Sequence, residues 1–176
     1  MTERDPGSLR IRDLPGEARE AAVPIIKEGF VGVYRWHAKR TLRHATRVRG
    51  AFLGEAGEEL AGVAMLERLV PEAGYVYYLC VARSRRRRGV GGALLDDAIA
   101  GFRRDGCQVV YAAIEADNEP SQAMVRSRGF RVVERKETSY RDGGLGAQGL
   151  RTRMWIVSGE ELFGVRLVPV PAPVAR

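Results

Sequence analysis

Read for its apolar positions alone, the chain opens with Leu9-Arg10-Ile11-Arg12, an alternating run that stops at Pro15-Gly16 and predicts a strand and a turn. Residues 17–30 then carry helical spacing, and Pro24 is expected to kink or split that helix because proline has no N–H to donate. Residues 33–48 read as a second helix, basic and amphipathic, closed by Gly50. Residues 51–55 and 60–70 are strand-like with glycine between them, so a hairpin is expected, and 75–81 is a third apolar, aromatic-rich strand. From Gly89 to Arg104 the apolar positions Val90, Ala93, Leu94, Ala98 and Phe102 recur at helical period, and Gly106 stops the run.

The second half continues in the same alternation of types. Residues 108–114 predict a buried strand, 120–128 a short helix ended by Gly129, and 130–140 a strand. Residues 141–149 read as a glycine-rich loop, and 152–157 as the last strand. Prolines at 169, 171 and 173 make the end of the chain an extended tail rather than a helix. The order β-α-α-β-β-β-α-β-α-β-β, with no internal repeat, predicts one α/β domain over residues 1–160 and a tail over 161–176.

Composition narrows the function classes. A chain of 176 residues with 45% hydrophobic and 29% charged residues is long enough to bury a core without staples. Cys80 and Cys107 give neither a disulfide framework nor a zinc spacing, so no metal site is expected and a reducing, cytoplasmic setting is. No run approaches the roughly 20 apolar residues of a membrane span, and the charged start carries no secretion pattern. The net charge of +7 favours anionic partners, be they nucleic acid, membrane headgroups or a polyphosphate ligand. The positive charge gathers in two places: Arg83 with Arg85–Arg88, and Arg35, Lys39, Arg40, Arg43, Arg47 and Arg49.

The first of these clusters carries the chemistry. A buried strand ending Leu79-Cys80-Val81 runs into Arg86-Arg87-Arg88-Gly89-Val90-Gly91-Gly92-Ala93, which opens a helix. Unpaired amides and the positive end of a helix dipole meet there, glycine permits close backbone approach, and arginine adds charge: the makings of an anion site. The plain alternative is a solvated arginine run before an ordinary helix. The segment lacks the Gly-Lys-Ser/Thr ending of a Walker loop and the Gly-x-Gly-x-x-Gly spacing of a dinucleotide fold.

Arg86-Arg87-Arg88-Gly89-Val90-Gly91 resembles the acetyl-coenzyme A motif Arg/Gln-x-x-Gly-x-Gly/Ala of the GNAT superfamily at every defined position. Asn118 to Ser121, a short helix and Arg128-Gly129-Phe130 resemble that family's next motif, and the likeness spans about residues 9–157. The resemblance implies a mixed central sheet flanked by helices and acetyl-CoA as acyl donor. It implies that the loop amides from Arg86 to Ala93 bind pyrophosphate, and that the backbone of Leu79, Cys80 and Val81 pairs with the pantetheine arm. It also brings Asn118 and Ser121 toward that arm, although Asn118 taken alone reads as a helix cap.

Acetyl transfer to an amine needs a base, an acid for the departing thiolate and a donor for the oxyanion, here best matched by the Val81 amide. In many family members a tyrosine serves as the acid, and the matching position is Val125. Ser121, Ser127, water or Tyr140 are the substitutes. The family's frequent glutamate matches Tyr75 and Tyr77, which leaves Glu115 as the nearest carboxylate base, against its plain reading as a solvated strand-end charge. His37 and His44 share one side of a helix that analogy puts over the acceptor groove, where they either line it or sit at the surface.

The function this implies is acetylation of a primary amine: a protein N-terminus, a lysine or a small molecule. A basic lip disfavours polycationic acceptors and favours peptides or amino-acid-like molecules bearing carboxylates. Two rivals stand beside it: a non-catalytic coenzyme A-binding module of the same fold, and a nucleic-acid-binding protein using the two basic clusters. The plain reading of the apolar tail is a frayed terminus; the sharper one is an extended arm packed along its own domain or across the partner of a homodimer.

Overall fold

The computed structural model describes residues 9–54, 59–134, 154, 156 and 159–167. Among them the chain forms β1 (Arg10–Asp13), α1 (Val23–Gly29), α2 (Gly32–His44), β2 (Arg47–Leu53), β3 (Glu59–Val70), β4 (Ala73–Val81), α3 (Val90–Arg104), β5 (Val109–Glu115), α4 (Glu119–Arg126), β6 (Arg131–Val132) and β7 (Glu160–Arg166). Short 3-10 turns cover Gly16–Ala22 and Arg83–Arg85. The strands form one seven-stranded mixed sheet in the order β1-β2-β3-β4-β5-β7-β6. The α/β architecture expected from the element order is what the chain adopts.

The described residues fall into two compact units, one drawn from Met1–Glu67 and Tyr77–Ala98, the other from Arg68–Val76 and Ile99–Arg176. In the first unit β1 and β2 pair antiparallel, as do β2 and β3, with a register shift between Ala51 and Phe52. Its core gathers Leu14, Ile25, Ile26, Leu42, Val48, Val63, Met65, Tyr78 and Cys80. The expected division at Pro24 occurs: a 3-10 turn ends at Ala22, and Pro24 sits in the first turn of α1, where its missing N–H costs nothing. Two arginines close helix ends. The Arg35 guanidinium donates to the carbonyls of Phe30 at 2.7 Å and Lys27 at 3.2 Å, and Arg19 donates to those of Leu42 at 3.0 Å and Arg43 at 3.2 Å. These are the carbonyls a helix leaves without intrahelical partners.

The second helix is shorter than its pattern suggested. It ends at His44, and Arg47–Leu53 is a strand in which Val48 and Gly50 are buried while Arg47 and Arg49 are half-buried. That alternation has period two, and the helical reading took the flanking arginines for a continuing polar face. Gly50 is no helix stop. It lies within β2, where a Cβ would come 2.8 Å from the Phe52 ring.

In the second unit β5 is the organising strand. It pairs in parallel with β4 from Ala73↔Val109 to Val76↔Ala112, and antiparallel with β7 from Val109↔Arg166 to Glu115↔Glu160. Gly106 and Gly129 end α3 and α4 with φ of +80° and +81°, as their positions in the sequence predicted. The strand expected over 130–140 is formed at Arg131–Val132, and 135–140 lies outside the described residues, as do the expected loop 141–149 and residues 168–176 of the tail. Of the strand expected over 152–157, Met154 is helical rather than extended. The last strand is instead Glu160–Arg166, so the extended tail expected from residue 161 begins as part of the sheet. It lies between β5 and β6, and Leu167 beyond it is buried with its N–H on the Gln108 carbonyl at 2.8 Å.

Candidate acyl-transfer site

The second half of β4 alternates: Tyr78 and Cys80 are buried, while Tyr77, Leu79 and Val81 are half-buried. The Cys80 thiol donates to the Ile25 carbonyl at 3.3 Å. Burial pushes the thiol up to about 11, with the nearby Arg86 charge working against that rise and Glu28 adding to it. Its sulfur is therefore no nucleophile. What β4 offers at Leu79, Cys80 and Val81 is backbone.

Beyond Val81 the chain is held from several sides. The Ala82 N–H reaches the Ala61 carbonyl at 2.9 Å, and the Arg83 N–H reaches Glu28 Oε2 at 3.0 Å. Arg85 pairs with Glu59 through both carboxylate oxygens, which neutralises one charge of the arginine run. Arg86 Nε turns back to the Val81 carbonyl at 3.1 Å, and Arg87 and Arg88 are exposed. The backbone then enters the left-handed region at Arg87 (φ 62°) and again at Gly89 (φ 79°). The first hydrogen bond of α3 runs from Ala93 N–H to the Gly89 carbonyl at 2.9 Å. The amides of Val90, Gly91 and Gly92 precede it and have no intrahelical acceptor, so they form the positive end of a 15-residue helix. Gly62 on β3 lets this helix start lie close to β4. A Cβ there would fall 3.0 Å from the Cys80 carbonyl oxygen and 3.2 Å from a Val90 methyl. No sequence signal marked Gly62, since its partners are distant in the chain.

In the second unit, Asn118 caps α4: its Oδ1 accepts the Ser121 N–H at 3.2 Å, the local role its residue type allows. Ser121 is half-buried, and Ser127 donates its hydroxyl to the Met124 carbonyl at 2.8 Å. Gln122, buried and not anticipated, donates from Nε2 to the carbonyls of Glu115 at 3.1 Å and Ala116 at 3.0 Å, fixing the β5–α4 turn. Glu115 is exposed at the end of β5 with Glu160 opposite. Val125 is 3% exposed and belongs to the core, so no acid stands at that position. Tyr140 lies outside the described residues.

The tyrosines of β4 are committed differently from one another. Tyr75 donates its hydroxyl to the Met154 carbonyl at 3.0 Å within the second unit. In the first unit the Tyr78 hydroxyl lies 2.8 Å from His37 Nδ1, and Thr41 Oγ1 is 3.4 Å from the same nitrogen. Phe30 packs edge-on against Tyr78, and Tyr77 faces the imidazole with ring centroids 6.3 Å apart. Burial, and then the Arg40 guanidinium, lower the His37 pKa below its ordinary value, so the ring is neutral at pH 7. The outer side of α2 carries exposed Trp36 beside Lys39, Arg40 and Arg43 in a groove of about 420 Å³. His44, at the last position of the helix, is exposed. Among the described residues no helix is long and apolar enough to cross a membrane.

Comparison with known proteins shows the family and the fold. The Acetyltransferase (GNAT) family matches residues 18–130. The N-alpha-acetyltransferase RimI of Mycobacterium tuberculosis is 32% identical over 141 residues, 78% of each chain. GCN5-related N-acetyltransferase 6, chloroplastic, of Arabidopsis thaliana is 36% identical over 61 residues, which is 35% of this chain and 21% of that relative's length. Among solved structures, the ribosomal-protein-S18-alanine N-acetyltransferase of Escherichia coli superposes with a TM-score of 0.68 at 16% identity, covering 96% of this chain and 99% of that one. A Bacillus subtilis acetyltransferase in complex with CoA gives 0.67 at 19% identity, covering 92% and 100%. With a strand, a glycine turn and a helix start in motif order, and a family match over most of its length, the chain belongs to the GNAT family of acetyltransferases.

Proposed function

We propose that the protein transfers the acetyl group of acetyl-CoA to the α-amino group of a polypeptide. The observation that carries the donor half is the loop from Arg86 to Ala93. Two left-handed residues aim the backbone, and the Val90, Gly91 and Gly92 amides stand at the positive end of α3 with no helical acceptor. Arg87 and Arg88 are exposed beside them, which is the donor set a pyrophosphate requires. In this reading the backbone of Leu79, Cys80 and Val81 holds the pantetheine arm, and the Val81 amide faces the oxygen on which charge develops. Gly89 and Gly91 keep side chains out of the phosphate's path.

The acceptor half is supported by the N-alpha-acetyltransferase named above, which aligns over most of this chain. The basic side of α2, with Lys39, Arg40 and Arg43, adds a preference for acceptors that carry carboxylates near the amine.

Calorimetry with coenzyme A, followed by mass spectrometry of peptide panels, tests both halves. A peptide with a free N-terminus is expected to gain 42 Da (roughly, one acetyl group) at its first residue. The same peptide with a blocked N-terminus and an internal lysine is expected to stay unmodified. Acetylation confined to lysine would overturn the acceptor assignment. Unchanged coenzyme A affinity after substitution of both Gly89 and Gly91 by valine would overturn the loop assignment.

A further inference from the structure

We propose that the outward face of α2 is a binding surface for single-stranded nucleic acid, with Trp36 stacking on a base and Lys39, Arg40 and Arg43 meeting the phosphates. The inference stands apart from the acetyl-transfer reading and needs neither coenzyme A nor an amine acceptor.

The face follows from helical spacing. Val33, Trp36, Arg40, Arg43 and His44 fall within an arc of about 100° on α2 and are all exposed, while Ala38 and Leu42 on the opposite side are buried in the core of the first unit. From Gly32 to His44 the helix carries no aspartate or glutamate. The groove beside it, about 420 Å³, is lined by the indole and these cations, and no carboxylate lines it.

The charge of this face is open to a ligand. Arg35 also lines the groove, yet its guanidinium is committed to the carbonyls of Phe30 and Lys27. The Lys39 ammonium and the Arg40 guanidinium have no carboxylate partner among the described residues. Arg43 has the Glu20 carboxylate 3.8 Å away, a pair too open to water to cancel much of its charge. The basic run before α3 differs, since Glu59 neutralises Arg85 and the Val81 carbonyl holds Arg86.

Charge alone would accept any polyanion, and the indole narrows the choice. Trp36 is 62% exposed, and the guanidinium carbon of Arg40 lies 6.0 Å from its ring centroid. An acidic peptide offers carboxylates to the cations and nothing flat to the ring. A lipid surface calls for a broad apolar face, and beside the indole this end of the helix exposes only Val31 and Val33. A nucleic-acid strand alternates planar bases with phosphates, which suits an indole interleaved with cations. Residues three and four apart on a helix stand about 5–6 Å from one another, so Trp36, Arg40 and Arg43 are neighbours along one line. A flexible strand can lay a base on the first and phosphates on the others. A duplex keeps its base faces stacked inside, out of the indole's reach, so the fit is to single strands. The same cations draw carboxylate-bearing acceptors in the acetyl-transfer reading, so a bound strand and an acidic acceptor exclude each other from this face.

Fluorescence anisotropy of labelled oligo-uridylate and oligo-thymidylate on the full chain, with and without saturating coenzyme A, tests the assignment. Binding is expected with a Kd of about 10⁻⁶–10⁻⁴ M near physiological salt, and to tighten as salt is lowered. Three phosphate contacts predict a slope of about −2 in log affinity against log salt, and Arg40→Gln should reduce it to about −1.4. Trp36→Ala should weaken binding at least about fivefold and leave the slope unchanged, because stacking is not electrostatic. Both side chains are exposed, so both variants should melt with the wild type. Wild-type affinity in both variants, binding that disappears when coenzyme A is added, or an equal loss on Trp36→Ala for a duplex of the same length would each overturn the proposal. Displacement of the probes by poly-glutamate at equal charge would assign the face to acidic polypeptides, and tighter binding to phosphatidylglycerol vesicles would assign it to membranes; either result overturns it as well.

Discussion

Gly29, the last residue of α1, lies directly against the thiol of Cys80 on β4: a Cβ built at Gly29 would fall 2.1 Å from the sulfur and 3.7 Å from the Cys80 Cβ. Helix propensity alone would favour alanine over glycine there by about 1 kcal/mol. Contact overrides it, because the sulfur is buried and bonded to the Ile25 carbonyl in the same helix. Gly29→Ala is expected to cost about 1–3 kcal/mol in thermal or denaturant unfolding. In a Cys80→Ala background the remaining 3.7 Å contact is ordinary, and the same change should become neutral or stabilising. A cost that persists in that background would mean that the glycine serves something other than clearance for the sulfur.

The same thiol gives a pH prediction. Its folded pKa, about 11, lies above the ordinary 9.0, so folding favours the protonated form. The stability this contributes is complete below pH 9 and is lost as pH rises from 9 toward 11, because only the unfolded chain ionises there. Alkylation at pH 8 should leave both cysteines unmodified in the native protein, as both are buried, and modify both after denaturation. Rapid native labelling of Cys80 at pH 8 would contradict the burial that raises it.

Much of this architecture is written locally in the chain. The turn before α3 is legible because Gly89 meets a backbone need, a left-handed turn at a helix start, that few other residues meet as cheaply. Pro24, Gly106 and Gly129 mark element ends for equally local reasons. The misread pieces depend on partners far away. Residues 47–50 look helical until β3 is present to pair with them, and 160–166 reads as a tail until β5 supplies Val109–Glu115 as its ladder. The His37–Tyr78 pair is of the same kind, since neither residue carries a local sign of the other.

Because β7 is a strand of the sheet, ending the chain at Gly164 should be severe rather than trivial. It removes Val165 and Arg166, which face Val110 and Val109 in the β5 ladder, together with buried Leu167. Burial of a leucine and the lost ladder bonds together amount to at least about 3 kcal/mol. A melting temperature unchanged by this truncation would show that the pairing with β5 contributes no net stability.

The loop at the start of α3 allows its backbone and its charge to be separated by two substitutions. Gly89 has φ of 79° and nothing within 4 Å of where a Cβ would stand, so Gly89→Ala is opposed by conformation and not by collision. It should cost about 1–2 kcal/mol of stability and weaken coenzyme A binding at least tenfold, as the turn moves away from the geometry that aims the amides. Arg87 holds a similar conformation, φ 62°, with a side chain that makes it unfavourable. Arg87→Gly relieves that strain while removing one charge. Its melting temperature should therefore equal or slightly exceed the wild type, by at most about 1 kcal/mol in stability. Calorimetry then reads the charge alone: a several-fold loss of coenzyme A affinity that shrinks as salt is raised assigns the Arg87 guanidinium to the phosphates. Unchanged affinity at low salt would leave anion binding to the amides of Val90, Gly91 and Gly92 and to the neighbouring arginines.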